Sequence, residues 1–305
     1  MLPFRKTVAS LCLLGALLLA APGARAAGKI QVLTSFLPVY CFTANVAGDL
    51  AHVENLLPAG AGPHDYQFSP RDMSKLKAAD LLIINGLGME EWLGRAMEST
   101  GGKNSRMVVE ISAGLKSELI RGKHVHEKGG KHDHAQDYNP HIWLDPVLAT
   151  HAVTNILKAL QKADPANAAG YAANAARYVE QLRQLDADIR AGTTPLKKKP
   201  FVALHNAFPY LVKRYDLNLI GVIEEVPEVN PSPRYLKELM GRMRDKKVGV
   251  IFVDSTASNK LAVQIASDLK IKTAVLDTLE SGPLTPRAYE DGMRKNLSTL
   301  RENLK

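Results

Sequence analysis

Short apolar runs alternate with amphipathic stretches along most of the chain after residue 27. The apolar runs are four to seven residues long and predict β-strands at 29–35, 53–57, 81–85, 107–111, 201–204, 217–223, 248–253 and 273–276. Helical spacing of apolar residues predicts helices at 39–47, 70–79 (with Ser69 as N-cap), 91–98, 146–162, 233–244, 259–269 and 286–304. Continuous apolar strands that alternate with helices are typical of parallel sheets covered on both faces.

One predicted helix is much longer than the others. Asp164 and Pro165 provide a start signal, and the helical pattern then continues to Arg190, interrupted only by Gly170. Twenty-six helical residues would span about 39 Å, enough to run along a whole small domain. The sequence therefore predicts an α/β protein of two lobes, each with a parallel sheet flanked by helices, joined by one long rigid helix. The predicted boundaries are 27–163 for the first lobe, 164–192 for the linking helix and 193–305 for the second lobe.

The first 26 residues have the pattern of an export signal. Arg5 and Lys6 precede an apolar run at 8–20, and Ala24-Arg25-Ala26 forms a small-x-small cleavage site. The apolar run is shorter than the roughly 20 residues that a membrane-spanning helix needs, which argues against a retained anchor. Cys12 raises the alternative of a lipid anchor, but the residue before it is Leu11, where a small residue would be expected. We expect a periplasmic protein of 279 residues after cleavage.

Charge and cysteine content exclude further classes. The net charge of +8 falls to +5 when three basic residues of the signal are removed, and the dense basic clusters at 197–199 and 242–247 are not interleaved with aromatic residues. This pattern predicts no nucleic-acid partner. Only Cys41 remains after cleavage, so an internal disulfide is impossible and stability must come from the core and a ligand.

Candidate metal ligands lie at or just beyond the predicted strand ends. His205 and Asp277 each directly follow a strand, His64 lies a few residues beyond another, and His141 closes a long polar segment. Ligands bind at the carboxyl ends of strands in open α/β sheets, so these side chains are expected in the cleft between the lobes. Three imidazoles and one carboxylate suit a tetrahedral divalent ion. From position alone, the carboxylates that compete with Asp277 are Asp254, Glu224 and Glu225.

The polar segment at 117–139 contains two closely spaced histidine pairs, His124, His126, His132 and His134. Histidine-rich tracts are typical of metal binding. Because the segment has almost no apolar residues to fix its conformation, we expect a weak auxiliary site that collects ions for the cleft.

Three motifs carry a family resemblance. They lie at 34–40 (TSFLPVY), at 57–66 (LPAGAGPHDY) and at 139–146 (NPHIWLDP). In these motifs the chain resembles the zinc- and manganese-binding solute-binding proteins of bacterial ABC importers. The resemblance implies two lobes joined by a long helix, with one ion held between them by residues matching His64, His141, His205 and Asp277. It favours Asp277 over Asp254.

The same resemblance implies capture of Zn²⁺ outside the cytoplasm and delivery to an ABC permease in the inner membrane. Manganese members of that family usually carry glutamate at the third ligand position, where this chain has His205, and imidazole suits zinc better than manganese. The alternatives are a manganese importer component, or a periplasmic zinc buffer or adhesin. We expect a monomer, and a periplasmic metallochaperone is a further candidate partner.

An enzyme is the rival class. A catalytic zinc site keeps an open coordination position for water, whereas four protein ligands would fill a tetrahedral shell. The sequence contains neither a His-Glu-x-x-His motif nor a Gly-x-Ser-x-Gly elbow. We therefore predict a binding protein rather than an enzyme.

Overall fold

The computed structural model describes residues 28–64, 66–94, 107–122, 138–225, 229–255 and 259–305. The predicted signal segment 1–26 and the four histidines predicted for the auxiliary site lie outside these residues, as does part of the helix predicted at 91–98. Within the part that is described, no helix combines the length and the apolar character needed to cross a membrane.

The first lobe is built on a four-stranded parallel sheet. Its described strands and α-helices are β1 (Gln31–Thr34), α1 (Leu37–Ala47), β2 (His52–Asn55), α2 (Pro70–Ala78), β3 (Leu81–Ile84), β4 (Met107–Glu110) and α3 (Pro146–Ala163). The strand order is β2-β1-β3-β4, with every neighbouring pair parallel. The sheet order reverses at β1, so the carboxyl end of β1 is the natural place for a ligand.

A single long helix, α4 (Ala168–Thr193), follows the first lobe. It begins three residues later than Pro165, because Pro165–Asn167 form a separate 3-10 turn. The carboxylate of Asp164 accepts hydrogen bonds from the side chains of Asn167 and Tyr171 instead of capping the backbone. The helix is otherwise as long as predicted and packs against α1 and α3.

The second lobe repeats the strand order of the first. Its described elements are β5 (Pro200–His205), α5 (Pro209–Tyr215), β6 (Asn218–Glu224), α6 (Pro233–Asp245), β7 (Val250–Val253), α7 (Lys260–Leu269), β8 (Lys272–Val275) and α8 (Ala288–Asn303). The sheet order is β6-β5-β7-β8, again all parallel. β5 therefore occupies the position that β1 has in the first lobe.

One continuous hydrophobic core joins the two lobes. Tyr171, Tyr178, Leu182, Leu185 and Ile189 of α4 are buried in it, together with residues of α1, α3, α5 and α8. A second, smaller cluster lies between the second sheet and helices α6 and α7. Because the linking helix is part of the main core, it is fixed to both lobes.

Candidate metal centre

His141 is held at the start of a short 3-10 turn, Ile142–Leu144, just before α3. The segment around it is fixed to the second lobe by three hydrogen bonds. Trp143 Nε1 donates to the carbonyl of Thr278 (2.8 Å), Tyr289 OH donates to the carbonyl of Trp143 (2.7 Å), and Tyr210 OH donates to the carbonyl of Asn139 (2.7 Å). A histidine that the sequence assigns to the first lobe is therefore positioned largely by the second.

His205 is the last residue of β5, at the carboxyl end of the strand where the sheet order reverses. Its side chain is 3% exposed, and its Nδ1 lies 3.4 Å from Oδ2 of Asp254, which follows β7. Asp254 thus contacts the Nδ1 side of the ring. Nε2 is the ring nitrogen of His205 on the other side, away from this contact.

His64 and Glu280 complete the group from two loops. The loop before His64 is tied down by Trp92 Nε1, which donates to the carbonyl of Pro63 (2.8 Å). Glu280 lies five residues beyond β8, directly after Leu279, whose backbone has a φ of 59°. The side chain of His64 is 24% exposed, whereas that of Glu280 is 9% exposed, so His64 forms the solvent side of the cluster.

Four donor atoms converge between the lobes. One nitrogen or oxygen from each of His64, His141, His205 and Glu280 lies within 4.8 Å of the others. Nε2 of His64 and Nε2 of His141 both lie 3.1 Å from the same atom, Oε1 of Glu280. Donors bound tetrahedrally to one ion at about 2.05 Å lie roughly 3.3 Å apart. The two contacts to Glu280 therefore already have nearly the spacing of atoms that share a zinc ion.

The protonation states of the cluster favour a cation. Burial lowers the pKa of His141 to about 3, although the contact with Glu280 opposes this effect. Burial alone would raise the pKa of Glu280, but the contacts with His141 and His64 outweigh it and hold the pKa well below its usual range. A neutral imidazole and an ionised carboxylate are the forms that ligate metal ions. Three imidazole nitrogens and one carboxylate oxygen form a set of donors that suits zinc.

The carboxylate in this group is Glu280, not the predicted Asp277. Asp277 Oδ1 accepts a hydrogen bond from the backbone N of Leu279 (2.8 Å), and its backbone pairs with the side chain of Asn296. Asp277 thus stabilises the turn after β8, a common role for aspartate at a strand end. The expectation of Asp277 rested on its position directly after a strand, and that position does not determine which carboxylate of the following loop reaches the cleft.

The other candidates take different places. Asp254 contacts His205 from outside the group of four, and Glu225 accepts a hydrogen bond from Asn206 Nδ2 (2.9 Å). The two described histidines that were not predicted as ligands lie elsewhere: His52 is exposed on β2, and His151 Nε2 lies 2.7 Å from the carbonyl of Ala113. Among the described residues, the group that contains Glu280 is the one set of three or more His, Cys, Asp or Glu side chains whose placement could hold a metal ion.

Two parallel α/β lobes on a shared core, with three imidazoles and a carboxylate between them, define a two-lobed metal-binding protein. The family model described as ZnuA, zinc-uptake complex component A periplasmic, matches residues 32–303. The chain belongs to this family. The resemblance inferred from the three sequence motifs is confirmed, and so is the predicted fold class.

Individual relatives agree with this assignment. Zinc-binding protein AdcA of Streptococcus pyogenes serotype M3 is 34% identical over 291 residues, which cover 90% of this chain and 56% of AdcA. The chain thus spans about half the length of the AdcA relatives that it matches. The high-affinity zinc uptake system protein ZnuA of Bacillus subtilis is 34% identical over 285 residues, which cover 90% of this chain and 88% of that protein. The crystal structure of Zn(II)-bound AdcA from Streptococcus pneumoniae superposes with a TM-score of 0.72 at 32% identity, covering 91% of this chain and 58% of that one.

Proposed function

We propose that this protein captures Zn²⁺ outside the cytoplasm and delivers it to an ABC permease in the inner membrane. The observation that carries the proposal is the convergence of His64, His141, His205 and Glu280 on one small volume between the lobes. These four residues are the proposed ligands, and Zn²⁺ is the cargo. Support comes from the zinc-related names of AdcA and ZnuA, to which the chain is similar.

Zinc suits the donor set better than manganese. Imidazole nitrogen is a borderline-soft donor that zinc prefers, whereas manganese prefers carboxylate and water oxygen. With three neutral imidazoles and one carboxylate, the ligands carry a formal charge of only −1, so a harder ion gains little Coulomb energy. A manganese importer component is therefore the weaker alternative.

The same four donors favour binding over catalysis. They fill a tetrahedral shell and leave no reserved position at which an ion could activate water. We further propose residues 27–163, 164–192 and 193–305 as the structural units, a monomer as the working form, and a periplasmic location after removal of residues 1–26. The auxiliary site at His124, His126, His132 and His134 and a metallochaperone that loads the protein remain predictions.

A matched pair of variants tests the site. Zinc affinity of purified protein is measured by competition with a chromophoric chelator for wild type, Glu280→Gln and Asp277→Asn. Loss of Glu280 removes a direct ligand, so affinity should fall by roughly a hundredfold or more, beyond the loss typical of outer partners. Asp277→Asn keeps an oxygen for the backbone N of Leu279 and should bind zinc nearly as well as wild type. Equal affinity in wild type and Glu280→Gln would refute the assignment.

Delivery is tested in cells. A deletion strain should fail to grow in chelator-treated medium and recover with added zinc or with the wild-type gene, but not with the Glu280→Gln gene. Recovery with manganese alone would favour the manganese alternative. Normal growth of the deletion strain would favour a buffer or adhesin.

A further inference from the structure

The two histidines that the first lobe contributes to the cluster are each directly preceded by a proline. The carbonyl of each proline accepts a hydrogen bond from a side chain of one segment, residues 85–92, which directly follows β3. Nε1 of Trp92 donates to Pro63 (2.8 Å), and Nδ2 of Asn85 donates to Pro140 (3.0 Å). The 85–92 segment therefore contacts the backbone beside two proposed ligands.

The backbone of the 85–92 segment is unusual. Gly86, Leu87 and Gly88 follow one another with φ of 80°, 59° and 79°. Glycine adopts a positive φ readily, whereas a leucine keeps one only where surrounding contacts hold it in place. The shape of this segment is therefore set by specific contacts and not by regular secondary structure.

Glu90 makes the contacts that close the segment on itself. Its side chain is buried, and its two carboxylate oxygens accept three hydrogen bonds. Oε1 accepts from the backbone N of Asn85 (2.8 Å) and from the hydroxyl of Ser35 (2.7 Å), and Oε2 accepts from the backbone N of Gly86 (3.1 Å). Ser35 directly follows β1, the strand next to β3. The carboxylate thus joins both ends of the segment and ties them to the neighbouring strand.

A carboxylate is specifically required at this position. The backbone N–H groups of Asn85 and Gly86 can only donate, so both oxygens that face them must be acceptors. Glutamine has nearly the same shape as Glu90, but its NH₂ group would face one of these N–H groups. A buried donor that loses its acceptor is costly, and the segment would have to shift to relieve it. Such a shift would displace both donors that hold the proline carbonyls.

We propose that Glu90 is a positioning residue that fixes the 85–92 segment and, through Asn85 and Trp92, places His64 and His141 for zinc. Ligands that are held in place before the ion arrives need less ordering when it binds. Glu90 would thus contribute to zinc affinity without being a ligand. The proposal rests on the proposed function, because these two histidines are proposed zinc ligands.

The matched control is Asp164→Asn. Asp164 also accepts hydrogen bonds that hold a turn, from the side chains of Asn167 and Tyr171. It lies at the far end of α3 from the cluster, and the 18 residues of that helix span about 27 Å. Burial raises the pKa of Glu90 to about 7, although its three hydrogen bonds oppose this effect. All measurements are therefore made at pH 8.0, where most of the Glu90 carboxylate is ionised.

The first test is hydrogen–deuterium exchange of zinc-free protein, followed by mass spectrometry. Glu90→Gln should exchange faster than wild type in peptides that contain the 85–92 segment, His64 or His141, and no faster in β5. Asp164→Asn should leave exchange around both histidines unchanged. Exchange around both histidines that is the same in Glu90→Gln as in wild type would overturn the proposal.

The second test is Zn²⁺ affinity by competition with a chromophoric chelator. Glu90→Gln should bind about tenfold more weakly than wild type, the lower end of the loss typical of outer partners, and Asp164→Asn should bind as wild type does. The Asn85→Ala/Trp92→Phe double variant lacks both donors through which Glu90 is proposed to act. In that background Glu90→Gln should cause little further loss, because residues that act through one another are not additive. An undiminished effect there, or a loss no larger than in Asp164→Asn, would contradict the proposal.

Trp92→Phe keeps the test decisive if Glu90→Gln does not fold. This change keeps an aromatic ring and removes only the N–H that holds the carbonyl of Pro63. It should weaken zinc binding several-fold, and wild-type affinity in both Trp92→Phe and Asn85→Ala would overturn the proposal. Failure of the wild type to bind zinc would instead refute the proposed function, and the exchange measurement, made without zinc, separates the two outcomes.

Discussion

At the scale of single residues, His141 shows how burial prepares a ligand. Its side chain is 3% exposed, and burial lowers its pKa to about 3. A proton competes with a metal ion for the same nitrogen lone pair. An ordinary histidine, with a pKa near 6.5, becomes charged in mildly acidic surroundings, whereas His141 stays neutral there. Its availability to a metal should therefore not be limited by protonation in that range.

This difference gives a prediction for zinc-free protein. The Cε1–H chemical shift of His141 should stay nearly constant between pH 7.5 and 5.0, because more than about nine tenths of the imidazole remains neutral. In urea the same histidine should titrate near pH 6.5. Since the folded pKa is the lower one, the unfolded chain binds the proton first as pH falls. The stabilising contribution of this group is present above about pH 6.5 and is lost toward pH 3. A folded-state midpoint near 6.5 would show that His141 is not desolvated.

The residue scale is also where inference from sequence stops. The strand-end rule and the family motifs identified three histidines that the structure brings together, but they pointed to Asp277 for the carboxylate. Asp277 and Glu280 lie on the same loop, and Leu279 between them has a positive φ of 59°. A positive φ at leucine cannot be predicted from the sequence, because φ > 0 is uncommon outside Gly, Asn and Asp. The loop geometry depends on tertiary contacts that no local pattern encodes.

At the scale of elements, the sequence predicts helix starts well where a capping residue forms strong hydrogen bonds to the first turn. Ser69 begins α2 with a complete capping box: its hydroxyl accepts from the backbone N of Asp72, and the Asp72 carboxylate accepts from the backbone N of Ser69 (2.9 Å). Asp72 also accepts from Tyr66 OH (2.7 Å). The cap therefore links the start of α2 to the loop that carries His64.

The contribution of this cap can be measured. Ser69→Ala should lower the free energy of unfolding by about 1 kcal/mol, because the N–H of Asp72 loses its acceptor. Ser74→Ala is the control on the same helix, since the Ser74 hydroxyl only donates to the carbonyl of Pro70 one turn earlier, and it should change stability by less than about 0.5 kcal/mol. Urea denaturation of both variants measures the difference. Equal effects would mean that the cap contributes nothing beyond a surface hydroxyl.

The elements that sequence reasoning missed were short. Helix α5 has only seven residues, fewer than the window over which helical periodicity can be recognised. It nevertheless supplies Tyr210, whose hydroxyl accepts from the backbone N of Ile120 and donates to the carbonyl of Asn139. Such a helix is stabilised by packing and not by its own pattern, so it becomes visible only in the folded chain.

At the scale of the whole molecule, one of the contacts between the lobes lies in the segment that follows His141. Arg214 of α5 reaches across to Asp145, the N-cap of α3, with Nε 2.8 Å from Oδ2. The side chain of Asp145 is only 3% exposed, so this is a buried charge whose partner comes from the other lobe. Breaking such a pair is costly because it leaves one charge uncompensated. Together with the shared core, the pair favours small adjustments around an ion over wide opening of the cleft.

Because the proposed ligands come from four distant parts of the chain, zinc should stabilise the entire fold. His64 and Glu280 are 216 positions apart, so an unfolded chain cannot present them together. Binding to the folded state alone at a free zinc concentration 100 times the Kd adds about 2.7 kcal/mol to the free energy of unfolding. For a chain of this size, that should raise Tm by roughly 4–5 °C.

The measurement is differential scanning calorimetry with buffered free zinc. At one zinc concentration, wild type and Asp277→Asn should show the full increase in Tm, whereas Glu280→Gln should show little of it. Each variant is also scanned in chelator, which separates lost binding from lost intrinsic stability. Because the increase depends on RT ln(1 + [Zn]/Kd), it should grow with the logarithm of free zinc in wild type. An increase of the same size in Glu280→Gln would mean that zinc stabilises the protein from somewhere other than the cleft between the lobes.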